Sequence, residues 1–137
     1  MIFRKILIIY FNYLEYFIMF KKRKSLVIPR RFAYTKQKGR CYYCEQPMWS
    51  DDLSIFASMY NLSLSKAKIF QCTGEHLVAF KDGGSSTKNN IVAACWFCNQ
   101  KRHRRKTNPT PEQYKQMIRN RLSHGRWHGF RLDAHLN

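Results

Sequence analysis

The chain has 137 residues, 45% of them hydrophobic and 15% aromatic, and its 25 Lys and Arg stand against 8 Asp and Glu for a formal net charge of +17. The apolar content excludes global disorder, the length favours one core, and the charge excess calls for an anionic partner, nucleic acid before an acidic protein or a metabolite. Five cysteines are too few for a disulfide-dense scaffold, and two pairs have C-x2-C spacing, which points to a reducing, cytoplasmic setting and bound zinc.

Residues 1–20 form an apolar and aromatic stretch interrupted by Asn12 and Glu15. Its uninterrupted run from Ile6 to Phe11 is short for a membrane span, Glu15 would be costly in hydrocarbon, and Lys21 to Lys24 follow where a signal peptide would carry small residues. A start at Met19 is the preferred explanation, with a buried helix or a membrane anchor as the alternatives. Residues 21–40 then carry nine Lys or Arg and no acid, a basic arm of charge +9, with a short strand predicted from Ser25 to Ile28 and stopped by Pro29.

Residues 41–106, the predicted central domain, open on Cys41-Tyr-Tyr-Cys44. Asp51 is placed to cap a short helix with Leu53, Phe56 and Tyr60 on one face, and Ser65 to cap a second that contains Ala67 to Gln71. Leu77 to Phe80 and Ile91 to Ala94 read as two strands joined by a reversal at Asp82-Gly83-Gly84-Ser85. Cys95 to Lys106 suits a helix leaving the second knuckle, Cys95-Trp-Phe-Cys98. Pro109 and Pro111 end that helix, and residues 107–137 form a basic extension with an amphipathic helix from Glu112 to Leu122 that stops at Gly125. From Lys101 to Asn137 ten Lys or Arg face two acids, for +8, whereas Cys41 to Gln100 balances to −1. A near-neutral centre between two basic flanks suits a cradle for backbone phosphates.

Two residues between paired cysteines let both thiolates reach one ion, and two such pairs complete the four-sulfur shell that structural zinc prefers. Fifty residues separate the knuckles, too many for a simple zinc ribbon, so the ion clamps the ends of something folded between them. The alternatives are unliganded buried cysteines or a redox pair, which wants one C-x2-C and not two. Cys72, the odd one out, reads as a buried core thiol. Between and after the knuckles lie Glu75-His76, Asn90, Asn99 and His103. Asn99 and His103 are four apart and share a helix face. A carboxylate, an amide oxygen and an imidazole make a mixed divalent-cation site, leaving His76 to act as a base; the bland alternative is surface polar groups and a satisfied core histidine.

Taken in order, CYYCEQPMW, TGEHLVAFKDGG and NNIVAACWFCNQKRH resemble the HNH nuclease family in its four-cysteine zinc-binding form, over about Lys36 to Lys106. The resemblance implies an α+β, ββα-metal (His-Me finger) domain with flanking helices, a structural zinc on Cys41, Cys44, Cys95 and Cys98, and one catalytic divalent cation, Mg2+ or Mn2+ before Zn2+ or Ni2+. It makes His76 the general base, Glu75 a ligand of the catalytic ion and Asn90 the residue that steadies the hairpin and orients His76. Asn99 and His103 fall where the family places its closing ligands. Glu75 stands where Asp is commoner, and either Asn99 or His103 could close the site. The implied activity is hydrolysis of double-stranded DNA, with Lys101, Arg102, Arg104 and Arg105 on the nucleic-acid backbone and specificity supplied by a partner protein or a dimer. Trp127 and His128 either stack on a base or pack against a core helix. Two competing readings are a non-catalytic zinc-stabilised nucleic-acid-binding module and a membrane-anchored regulator.

Overall fold

A computed structural model describes residues 24–129, 131 and 132. The readings of the apolar segment and its Met19 start lie outside the described residues. Among those residues no helix is long and apolar enough to cross a membrane.

Helix α1 runs Val27–Lys36 and replaces the strand expected at its start. Pro29 does not stop it, because it lies in the first turn, where the N–H it lacks would have no intrahelical acceptor. Pro29 and Ala33, one turn apart, are the buried residues of the helix. Past its end, the Gln37 amide locks onto one edge of the sheet: Nε2 donates to the Ala93 carbonyl at 2.8 Å, and Oε1 accepts from the Ala93 N–H at 2.9 Å.

After the first knuckle come α2, Leu53–Met59, and α3, Leu64–Lys68. Their caps sit off the expected positions. Asp52, not Asp51, accepts from the N–H groups of Ser54 and Ile55, and Ser63, not Ser65, accepts from Lys66. Helix α3 ends before Gln71, which pairs with Trp49 in an isolated bridge. Phe56, Ala57, Tyr60, Ala67, Phe70 and Leu132 form a small core beneath these two helices.

The sheet is one antiparallel hairpin of β1, Cys72–His76, and β2, Ile91–Cys95, with Glu75 opposite Val92 and His76 opposite Ile91. The first strand therefore precedes the apolar run Leu77 to Phe80 that was expected to form it. Those residues instead enter the connecting loop, whose Phe80–Asp82 form a single 3-10 turn. Leu26 crosses β1 closely at Gly74, where a Cβ would stand 3.3 Å from that side chain. Helix α4, Trp96–His103, leaves β2 directly and completes a ββα unit. Pro111 opens α5, Pro111–Ser123, at a position where proline is favoured, behind a reciprocal cap between Thr110 and Gln113. Tyr114 and Ile118 of α5 are buried against the cysteines, Tyr43, Ala93 and Ala94. Lys115 and Arg119 reach back to Glu45, whose carboxyl they hold below its ordinary range. The fold is α+β, as expected.

The loop from β1 to β2 is drawn tight. A Cβ on Gly84 would fall 1.8 Å from the Val78 carbonyl oxygen. Gly84→Ala should therefore cost about 1–3 kcal/mol, the usual range for forced overpacking, and urea unfolding at constant zinc would register it as a lower midpoint with an unchanged slope.

Candidate functional site

The four knuckle cysteines are buried, free of disulfides, and bring their sulfurs within 4.8 Å of one another. Four sulfurs about 2.3 Å from a central ion in a tetrahedron lie about 3.8 Å apart, and Cys44 and Cys95 stand at 3.9 Å. Their surroundings suit thiolates. The Cys95 N–H donates to the Cys41 sulfur at 3.3 Å, the Cys98 N–H to Cys95 at 3.4 Å, and the Trp127 indole to Cys98 at 3.2 Å. Burial pushes the thiols of Cys44, Cys95 and Cys98 up, while hydrogen bonds from the other three hold Cys41 well below its ordinary value against the same burial. Four thiolates packed this closely repel one another, and a doubly charged cation among them offsets that repulsion. The cluster fits a zinc site. Cys72 is outside it, a core thiol that burial pushes up to about 11.

Trp127 and His128 pack inward. Trp127 meets Phe97 edge-on at 5.2 Å, and His128 lies between Phe70 and Phe97 at 5.2 and 5.1 Å. Burial pushes the imidazole of His128 down to about 4, which leaves it neutral.

A second polar group gathers on Glu75, which is 1% exposed. Strand β1 presents Thr73 and Glu75 on one face, and α4 lies over that face with Asn99 and His103 one turn apart. Each helical residue meets a different strand residue. The Asn99 amide donates to Thr73 Oγ1 at 2.9 Å, and His103 Nε2 approaches Glu75 Oε2 at 3.0 Å. Glu75 Oε1 is held by Arg102 and by the Tyr43 hydroxyl at 3.3 Å. Burial, and then the neighbouring carboxylate, push the Tyr43 phenol up, so that it remains a donor.

His76, half-buried at the end of β1, places Nε2 3.2 Å from Ser86 Oγ. Asn90 clasps the loop on both sides: Oδ1 accepts from the Val78 N–H at 2.9 Å, while Nδ2 donates to the carbonyls of Val78 at 3.0 Å and Ser85 at 2.8 Å. Glu75, His76, Ser86 and His103 line one cleft of about 350 Å³ together with Lys24 and Lys81.

The donor set fits a divalent cation. Two ligands about 2.1 Å from an octahedral ion, at right angles, are about 3.0 Å apart, which is the spacing of Glu75 Oε2 and His103 Nε2. Asn99 Oδ1, on the same helix face, is buried with no donor among the described residues. Of the four cations expected on the nucleic-acid backbone, Lys101 and Arg104 are exposed. Arg102 is ion-paired to Glu75, and Arg105 is half-buried with its guanidinium 6.0 Å from the centre of the Tyr114 ring. The contacts of Arg102 and Tyr43 to Glu75 were not anticipated; a Tyr inside a C-x2-C knuckle and an Arg three residues after Asn99 gave no signal distinct from core packing and charge.

A family model described as HNH endonuclease matches residues 64–105. The chain carries an HNH domain. The matched segment holds Glu75, His76, Asn90, Asn99, His103 and the second cysteine pair; the first pair joins it through the geometry of the sulfur cluster. No curated protein and no solved structure matches the chain.

Cys95→Ser should remove cooperative unfolding, because it withdraws a ligand shared by the end of β2 and the start of α4. Thermal denaturation with metal analysis would check this, the expected outcome being loss of both the transition and bound zinc.

Proposed function

We propose that this protein is a metal-dependent HNH endonuclease that hydrolyses phosphodiester bonds of DNA, double-stranded DNA being the preferred substrate. The observation that carries the reading is the meeting of Glu75 and His103 in one cleft with His76. Binding nucleic acid has no use for a buried carboxylate paired with an imidazole, whereas in hydrolysis assisted by a cation both serve as ligands.

Glu75 Oε2 and His103 Nε2 would hold the catalytic cation, with Asn99 Oδ1 as a further oxygen donor on the same helix face. Such an ion, Mg2+ or Mn2+ before Zn2+ or Ni2+, supplies positive charge against the negative charge that develops on the phosphate and the leaving oxygen. His76 takes the proton from the attacking water. The Ser86 hydroxyl 3.2 Å from its Nε2 restricts how the ring can lie, and Asn90 ties together the loop that carries Ser86. The anionic backbone is drawn by Lys24 and Lys81 at the cleft, by Lys101 on α4 and by Arg104 just past its end. Neutralising its phosphates releases counterions and gives affinity without sequence preference. Site specificity would come from a second copy or a partner protein.

His76→Ala should lower the rate of plasmid cleavage by about 10²–10⁴-fold in Mg2+ or Mn2+ while leaving DNA affinity and its salt dependence unchanged. Agarose-gel kinetics beside a binding isotherm at several salt concentrations separates the two effects. Cleavage by the variant at the parent's rate would leave a zinc-stabilised binding module as the better account.

A further inference from the structure

We infer that Arg102 is a positioning residue for the catalytic carboxylate, not a contact to nucleic acid: with Tyr43 it occupies Oε1 of Glu75, so that the cation is met by Oε2 alone. The inference rests on the reading of Glu75 as a ligand of that cation.

Position first separates Arg102 from its basic neighbours. Its side chain is 10% exposed, and Nε is buried without a partner among the described residues. Lys101 before it on α4 and Arg104 just past the end of the helix are exposed. Nη1 of Arg102 donates both to Glu75 Oε1 and to the His76 carbonyl, the latter at 3.2 Å. One group thus ties α4 to the two consecutive residues that carry the proposed chemistry. Its guanidinium carbon also lies 5.8 Å from the centre of the Tyr43 ring, whose hydroxyl donates to the same Oε1.

The division between the two carboxylate oxygens follows. Oε1 accepts from Arg102 and Tyr43, both of which are donors only in this setting. Oε2 has the His103 imidazole, a group that can share a cation. A carboxylate 1% exposed would be costly to keep ionised alone, and a guanidinium on the far oxygen offsets that cost without covering the near one. Both acceptors are met by the one nitrogen Nη1, and the guanidinium that carries it is fixed by burial and by the Tyr43 ring, which the shorter, differently shaped Lys side chain would not reproduce. The opposite possibility is that Arg102 competes with the cation for Glu75, in which case removing it would tighten cation binding.

Mn2+ binding to the zinc-loaded full chain, followed by electron paramagnetic resonance, distinguishes the two. Arg102→Gln should bind Mn2+ about 10–100-fold more weakly, the usual effect of losing a partner behind a metal ligand. Zinc content and the salt slope of DNA affinity should stay as in the parent, while the melting temperature should fall, because Glu75 loses the charge that offsets its burial. Arg104→Gln should do the reverse, flattening the salt slope at unchanged Mn2+ affinity. If Arg102→Gln does not fold, Arg102→Lys decides, with a several-fold weakening expected. Unchanged or tighter Mn2+ binding in the folded variant overturns the inference, as does a salt slope reduced by about one phosphate. Parent-like Mn2+ affinity in Glu75→Gln would instead remove the cation-ligand reading beneath it, an outcome independent of how Arg102 behaves.

Discussion

Four buried thiols in mutual contact cannot all ionise without a cation among them, and most of the structure hangs on how that conflict is resolved. Cys41 and Cys44 belong to a tight knuckle, Cys95 closes β2, and Cys98 lies in the first turn of α4. One ion on the four sulfurs would therefore fix a knuckle, a strand end and a helix against one another. The resulting free energy joins segments fifty residues apart in a chain whose largest core cluster is built around those same cysteines. Tyr114 adds a brace from α5 by donating to the Cys98 carbonyl at 2.9 Å.

The second polar centre depends on the first. Every partner of Glu75 is attached close to a cysteine: Tyr43 precedes Cys44, and Arg102 and His103 lie about one turn beyond Cys98 on α4. The carboxylate itself comes from near the end of β1, where burial would be unfavourable were it not met by two donors, Arg102 and Tyr43, and by the His103 imidazole. A zinc on the four sulfurs would thus hold rigid the elements from which the proposed catalytic site is built.

Much of this was legible in the residues. Cysteine spacing pointed to the sulfur cluster before any geometry, and the order of Glu75, His76, Asn90, Asn99 and His103 between and after the knuckles pointed to an HNH domain. The second strand and α4 fell close to their expected bounds because their apolar and cysteine patterns are unbroken. The first strand did not, since Cys-Thr-Gly-Glu-His has no apolar alternation: its residues are chosen for Leu26 to cross at Gly74 and for Glu75 to be buried with partners. Helix α1 was hidden because Pro29 reads as a stop unless the helix is known to begin two residues earlier. The caps at Asp52 and Ser63 each competed with an equally suitable neighbour, Asp51 and Ser65. Arg102 looked like one of several cations on a basic helix; only packing reveals that its charge is turned inward.

The dependence on a four-sulfur clamp is tested most directly by zinc-edge X-ray absorption on the purified full chain, with the metal content measured on the same sample. A tetrahedral thiolate clamp predicts about one zinc per chain and a single shell of four sulfurs at about 2.3 Å. A shell that includes nitrogen or oxygen, or a folded protein with no zinc, would contradict it.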